Sequence, residues 1–220
     1  MRHLTGPRDV RFWSSVGVLI AASIVFAIIA ASVATNAAIL KQDLQVSVWL
    51  HTRNNAVFVG FLFAITQIHS PVGMAIIASL FGIYLWRAGH RHWVLSLAVA
   101  LGGGMLINTL LKFAFNRDRP VWEDPLLTLS SASFPSGHTA GATLFYGFLA
   151  AYMVWNTPEA WRRAVVVAGC TLMVALVGFS RIYLGAHYLS DVLAAMSMSI
   201  VWLVICLIAV RAYAHRRAAA

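Results

Sequence analysis

Of the 220 residues, 60% are apolar and only 10% are charged, against roughly 25% charged in a soluble domain, and the mean hydropathy is +0.79. So few charges cannot cover a water-facing surface, which excludes an ordinary soluble domain and a disordered chain alike. The net charge of +9 comes from 16 Lys and Arg against seven Asp and Glu. These basic residues stand between long apolar runs, where they read as determinants of membrane topology rather than as a nucleic-acid surface.

A helix needs about 20 apolar residues to cross a bilayer. The first predicted span runs from Phe12 to Ala34, behind a basic flank of Arg2, Arg8 and Arg11. It lacks a small-residue cleavage pattern and more spans follow, so it reads as a retained first span. Residues 36–69 are mixed. Leu44, Val46 and Trp49 alternate with Gln45, His51 and Arg53; the apolar run from Val57 to Ile68 is short, and Pro71 breaks or restarts the helix. This pattern predicts an interfacial helix that dips into the membrane without crossing, with a crossing segment as the alternative. Five further spans are predicted near 71–87, 93–115, 138–156, 163–180 and 188–210. The expected fold is therefore all-α: a polytopic membrane bundle of six transmembrane helices plus an N-proximal interfacial helix. It forms one integral membrane domain, with residues 1–69 as first span and interfacial helix and residues 70–212 as core. Gly102, Gly103 and Gly104 offer a close-packing face in the third span. Cys170 and Cys206 lie inside apolar runs and read as small packed residues.

Ten of the 16 basic residues fall on one side of this arrangement: Arg2, Arg8, Arg11, Arg87, Arg91, Arg162, Arg163, Arg211, Arg216 and Arg217. The positive-inside rule then puts both termini in the cytoplasm. The other side receives Lys41, Arg53, Lys112, Arg117, Arg119 and Arg181.

Three polar segments converge on that second side. The first, Lys112 to Pro120, ends the third span. Another, Pro135-Ser136-Gly137-His138, opens the fourth. The last runs from Ser180 to Asp191 between the fifth and sixth. The fourth and fifth spans form a hairpin, and a loop without a span joins the first two segments, so all three share a face. Lys112, Arg119 and Arg181 bring positive charge there, and the helix start at Ser136 and Gly137 points free N–H groups at the same place. Guanidinium forks and helix N-termini both suit phosphate. His187 and Asp191 are four apart, on one helical face, so Asp191 can hold one ring nitrogen and leave the other to attack. Taken singly, each cation could be a span-end anchor and each histidine a bundle residue or metal ligand. A zinc site would need more acids than Asp118, Glu123, Asp124 and Asp191 supply. Ser136 and His138, two apart on a helix, do not face each other as a hydrolase pair must.

The three segments resemble the signature of the type 2 phosphatidic acid phosphatase superfamily: KxxxxxxRP, then PSGH, then SRxxxxxHxxxD. Lys112, Arg119 and Pro120, Pro135 through His138, and Ser180, Arg181, His187 and Asp191 match every fixed position. The likeness runs from about Thr66 to the end of the last span and is to the small bacterial six-span members. It implies a metal-independent, cofactor-free lipid phosphate phosphatase in the inner membrane with its site on the extracytoplasmic face. By that analogy His187 is the nucleophile of a phosphohistidine intermediate, Asp191 orients it, and His138 protonates the leaving oxygen. Lys112, Arg119, Arg181, Ser136 and Gly137 bind the phosphate. Implied substrates are undecaprenyl diphosphate, phosphatidylglycerol phosphate and phosphatidic acid. Alternatives are a phosphotransferase with a non-water acceptor and an anion transporter; the soluble vanadium haloperoxidases share the signature but not this composition. The aromatic residues Phe113, Phe115, Trp122 and Tyr183 are expected to line a route for the lipid tail.

Overall fold

The computed structural model describes residues 7–35, 39–52, 55–123, 125–127 and 129–219, with side chains from residue 12 to residue 210 apart from residue 51. Of the residues invoked above, Arg2, Arg53 and Asp124 lie outside it, as do the side chains of Arg8, Arg11, His51, Arg211, Arg216 and Arg217. The described secondary structure is helical throughout: α1 (Pro7–Ala34), α2 (Ile39–His51), α3 (Ala56–Ile68), α4 (Pro71–Arg87), α5 (Arg91–Phe115), α6 (Gly137–Asn156), α7 (Ala160–Tyr183) and α8 (Leu189–Ala219).

Among the described residues, four helices are by themselves long and apolar enough to cross a bilayer: α1 over Phe12–Ala34, α5, α7, and α8 over Leu189–Val210. Outward side chains such as Ile24, Ile28, Leu106, Leu110, Val165 and Leu172 are exposed and apolar, as a lipid-facing surface requires. Helix α6 is 20 residues long but carries His138, Thr139 and Thr143 near its start, which lowers its apolarity. It is packed between α5, α7 and α8, so its polar turns face protein.

The segment expected to be one interfacial helix is two. Asn55 accepts hydrogen bonds from the N–H groups of Val57 and Phe58 and so starts α3 anew. The span expected at 71–87 is α4, 17 residues long and not among the helices that could cross by themselves. α3 and α4 together are long and apolar enough to cross, bent by 56° at their junction. Ser70 caps α4 by accepting from Gly73 N–H, and Pro71 occupies the first turn, where its missing N–H costs nothing. Only glycine fits at position 73: a Cβ there would stand 2.0 Å from the Ile68 carbonyl oxygen.

The glycine triplet divides its work. A Cβ on Gly103 would meet the Trp202 ring at 2.4 Å and one on Gly104 would meet Leu144 at 2.5 Å, while Gly102 faces open space. Trp202 Nε1 donates to the Ala100 carbonyl at 3.1 Å, tying α8 to α5. The largest apolar cluster, including Leu85, Trp93, Phe148 and Tyr152, lies toward the α4–α5 turn. Cys170 and Cys206 are both free and buried.

Candidate active site at the α5–α8 mouth

The C-terminal ends of α5 and α7 and the N-terminal ends of α6 and α8 meet at one end of the bundle, and the described residues of the loop between α5 and α6 bond across them. Asn116 ends α5 in the left-handed conformation, with φ of 40°. From there the loop is strapped down: Ser133 N–H donates to the Arg117 carbonyl at 2.8 Å, and Ser136 N–H donates to the Asp191 carbonyl at 3.1 Å.

The turn after α7 sets the position of His187. The N–H groups of Ala186 and His187 both donate to the Arg181 carbonyl, at 3.0 and 3.2 Å. Gly185 allows this turn with φ of +70°. A Cβ there would also lie 2.4 Å from Trp122 Nε1, which donates to the Gly185 carbonyl at 3.0 Å. Gly185, at an unfixed position of the SRxxxxxHxxxD pattern, thus sets the backbone between Arg181 and His187.

His187 is 2% exposed and Asp191 is fully buried. His187 Nδ1 lies 3.4 Å from Asp191 Oδ2, and Arg119 Nη1 lies 3.3 Å from His187 Nε2. Both neighbours dictate one tautomer. A carboxylate only accepts, so Nδ1 carries the proton; a guanidinium only donates, so Nε2 presents its lone pair. Burial pulls the His187 pKa down to about 4, against the opposing hydrogen bond and charge of Asp191. The ring is therefore neutral near pH 7. Asp191 Oδ2 also accepts from Tyr188 N–H at 3.0 Å and from the Ser133 hydroxyl.

Arg119 stands on the Nε2 side, and the other predicted cations lie in its field. Arg119 is held by the Ser131 and Ala186 carbonyls, each at 2.7 Å. Burial lowers its pKa, and Asp191 offsets this in part. Lys112 donates to the Ala132 carbonyl and lies in the field of Arg119 and Arg181. Arg181 is buried, its Nη1 donating to Thr66 Oγ1, while its Nε has no partner among the described residues. His138, in the first turn of α6, feels the charges of Arg181 and Arg119. Ser136 is fully buried and precedes Gly137 at the open N-terminal end of α6. All eight residues expected from the sequence therefore come together at this mouth. Among the described residues, no group of three or more His, Cys, Asp or Glu side chains is placed to hold a metal ion.

Sequence reasoning missed several residues that build the site. Asp43 on α2, Arg117, Ser133 and Ser190 surround Asp191, and Thr66 on α3 anchors Arg181. Arg117 had a visible signal, a basic residue within the first segment, but nothing in the sequence sets it apart from the other cations of that side. The aromatic residues expected along the tail route have separate surroundings. Phe113 is 80% exposed, Phe115 packs against Phe134 with ring centroids 4.7 Å apart and planes tilted by 49°, and Tyr183 is buried against Phe58 on α3. A different apolar cavity of about 340 Å³ lies beside Gly137, lined by His69, Met74, Leu101, Met105 and Gly141.

The class of protein follows from a profile match over residues 93–214: the chain belongs to the PAP2 superfamily. Among its relatives, phosphatidylglycerophosphatase B of Bacillus subtilis is 34% identical over 123 residues, 54% of this chain and 58% of that protein. Undecaprenyl-diphosphatase BcrC of Bacillus subtilis is 30% identical over 157 residues, 68% of this chain and 74% of that one. The fold is similar to the crystal structure of a transmembrane PAP2-type phosphatidylglycerolphosphate phosphatase from Bacillus subtilis. The TM-score is 0.79 at 26% identity, covering 90% of this chain and 96% of the other. The Aquifex aeolicus LpxE structure is similar over 74% of this chain and 93% of its own, with a TM-score of 0.61 and 25% identity. The relatives named here as phosphatases are hydrolases.

Proposed function

We propose that this chain is a multi-pass membrane phosphatase that releases phosphate from a lipid phosphomonoester or diphosphate through a phosphohistidine on His187. The observation that carries the reading is the His187 ring. Its Nε2 lone pair faces Arg119 at 3.3 Å, while its Nδ1 is turned toward Asp191. A phosphoryl group in this mouth meets a nucleophile and fixed cations together.

The steps balance with these residues alone. Nε2 attacks phosphorus and the P–O bond to the lipid breaks. His138, whose imidazolium is favoured once the negative phosphate sits beside it, gives its proton to the leaving oxygen. Charge on the three equatorial oxygens falls to Lys112, Arg119, Arg181 and the N–H groups around Ser136 and Gly137. Water then attacks the phosphohistidine, His138 takes its proton, the P–N bond breaks, and inorganic phosphate leaves. The mechanism calls on no metal ion or cofactor. The cavity beside Gly137 suits an acyl or prenyl chain, since its lining is largely apolar.

Taking α3 with α4 as one broken span and α6 as another gives six spans in a single domain. The site then opens on the extracytoplasmic face, and both termini lie with Arg87, Arg91, Arg162 and Arg163 in the cytoplasm. The relatives' names point to undecaprenyl diphosphate and phosphatidylglycerol phosphate as the substrates to compare.

Phosphate release from a panel of purified lipid phosphates in detergent tests the activity. Turnover of none of them, with phosphate moved across vesicles instead, overturns it. A membrane-impermeant thiol probe on intact cells tests sidedness: Val121→Cys, in the 116–136 loop, labels, and Arg163→Cys does not. The reverse pattern refutes the orientation.

A further inference from the structure

Arg117 is a fourth cation at the mouth, yet it is turned away from the phosphate side. Its Nη1 donates to Asp191 Oδ1 at 2.6 Å and to Ser190 Oγ at 2.8 Å. Its Nη2 donates to Asp43 Oδ2 at 2.9 Å. The guanidinium lies over the Tyr188 ring at 4.3 Å. Asp43 in turn accepts from Ser190 N–H at 2.9 Å and from the Ser190 hydroxyl. Asp43 is 2% exposed, although it belongs to α2, whose Leu44, Val48 and Trp49 face outward.

Two carboxylates and one guanidinium buried together carry a large desolvation cost, and such a cluster is weak evidence for stability. What it supplies is geometry. The planar fork of Arg117 is held at both ends and on one face, so it cannot rotate. Nη1 fixes Asp191 Oδ1, which leaves Oδ2 to face His187, Ser133 and the Tyr188 N–H. Without Asp43, Nη2 would lose its anchor, and the guanidinium would be drawn toward a phosphate in the cationic mouth.

We propose that Asp43 and Arg117 form a positioning clamp for the Asp191–His187 pair, which makes helix α2 part of the catalytic centre. Neither residue belongs to the fixed signature, and Asp43 lies outside the matched region 93–214. The clamp deepens the phosphatase reading and rests on it for its effect on turnover.

The experiment compares Asp43→Asn, Arg117→Lys, Arg117→Gln and the Asp43→Asn/Arg117→Gln double variant in the full chain, in detergent. Asparagine keeps the shape and the acceptor oxygen but removes the charge; lysine reaches one carboxylate, not two. Each single variant lowers kcat about tenfold or more and leaves KM within about threefold, because the clamp does not touch phosphate. The double variant falls no more than about threefold below Arg117→Gln, since Asp43 acts through Arg117. Gln45→Ala, on the exposed side of α2, stays at wild-type turnover. Wild-type kcat in Asp43→Asn, or fully additive losses in the double variant, overturns the clamp. Should Asp43→Asn fail to fold by thermal unfolding, Arg117→Lys decides by the same criteria. A readout independent of turnover is the ¹⁵N resonance of the His187 imidazole, identified by its loss in His187→Gln. It shifts in Arg117→Gln if the clamp sets the pair, and an unmoved resonance refutes the idea. If the wild type releases no phosphate from any lipid, the phosphatase reading falls, and the imidazole shift still judges the clamp.

Discussion

Replacing Asp191 by Asn tests the logic of the catalytic pair most directly. The Asp191 carboxylate receives four donors and offers none: Arg117 Nη1 on Oδ1, and Ser133 Oγ, Tyr188 N–H and His187 Nδ1 on Oδ2. An amide of the same shape has one acceptor oxygen. Whichever way it turns, its NH₂ meets a donor in a site with no exposure to water. Leaving a buried donor unpaired costs about 1–3 kcal/mol, and hydrogen bonds to charged groups contribute roughly 1.5–3 kcal/mol. If about 3 kcal/mol of this appears in the transition state, turnover falls about 10²-fold, at 1.36 kcal/mol per decade. KM should stay within about threefold, since Asp191 sits behind His187 and not against the phosphate. The assay is phosphate release from lipid phosphate in detergent at saturating and limiting substrate, with thermal unfolding measured beside it. A kcat within about threefold of wild type, or a loss confined to KM, would refute the orienting role of Asp191.

Three further outcomes follow from the same geometry. His187→Ala abolishes turnover while the folded protein still binds orthovanadate, because the cationic residues remain; near-normal phosphate release would end the nucleophile role. The His187 imidazole, followed by ¹⁵N NMR, titrates below its ordinary value, in the direction of the pKa of about 4 that burial imposes. The sign for stability is then fixed. The unfolded chain binds this proton near pH 6.5 and the folded chain only near pH 4, so the contribution of His187 to stability is complete above the higher value and is lost as pH falls between them. A midpoint at or above the ordinary value would contradict the buried neutral ring. Orthovanadate, which takes the shape of five-coordinate phosphorus, inhibits phosphate release, and EDTA leaves it unchanged; strong loss with EDTA would instead call for a metal-assisted step.

Composition and the three short motifs determined much of this protein without coordinates. Apolar runs with few charges force a helical membrane protein, because a backbone in lipid must satisfy its own hydrogen bonds. The hairpin connectivity of the last spans carries Lys112, Ser136, His138, Arg181, His187 and Asp191 to one end of the bundle, whatever the details of packing. Local chemistry also foretold the break at Pro71. What periodicity could not reveal is which polar residues of a mixed segment turn inward. Asp43 in α2 looks like one more polar position on an interfacial helix, and Arg117 like one more positive charge. Their roles depend on contacts across 74 positions of sequence, and only the packing of α2 against the start of α8 supplies those. The bent α3–α4 pair was hidden for the same reason. Residues 57–68 read as a short apolar run and 71–87 as a span of its own, and Thr66 and His69 find their partners, Arg181 and Tyr146, only once α3 lies against α7 and the α3–α4 junction meets α6. Sequence spacing fixes which residues share a helix face, whereas long-range side-chain packing decides which buried charges meet.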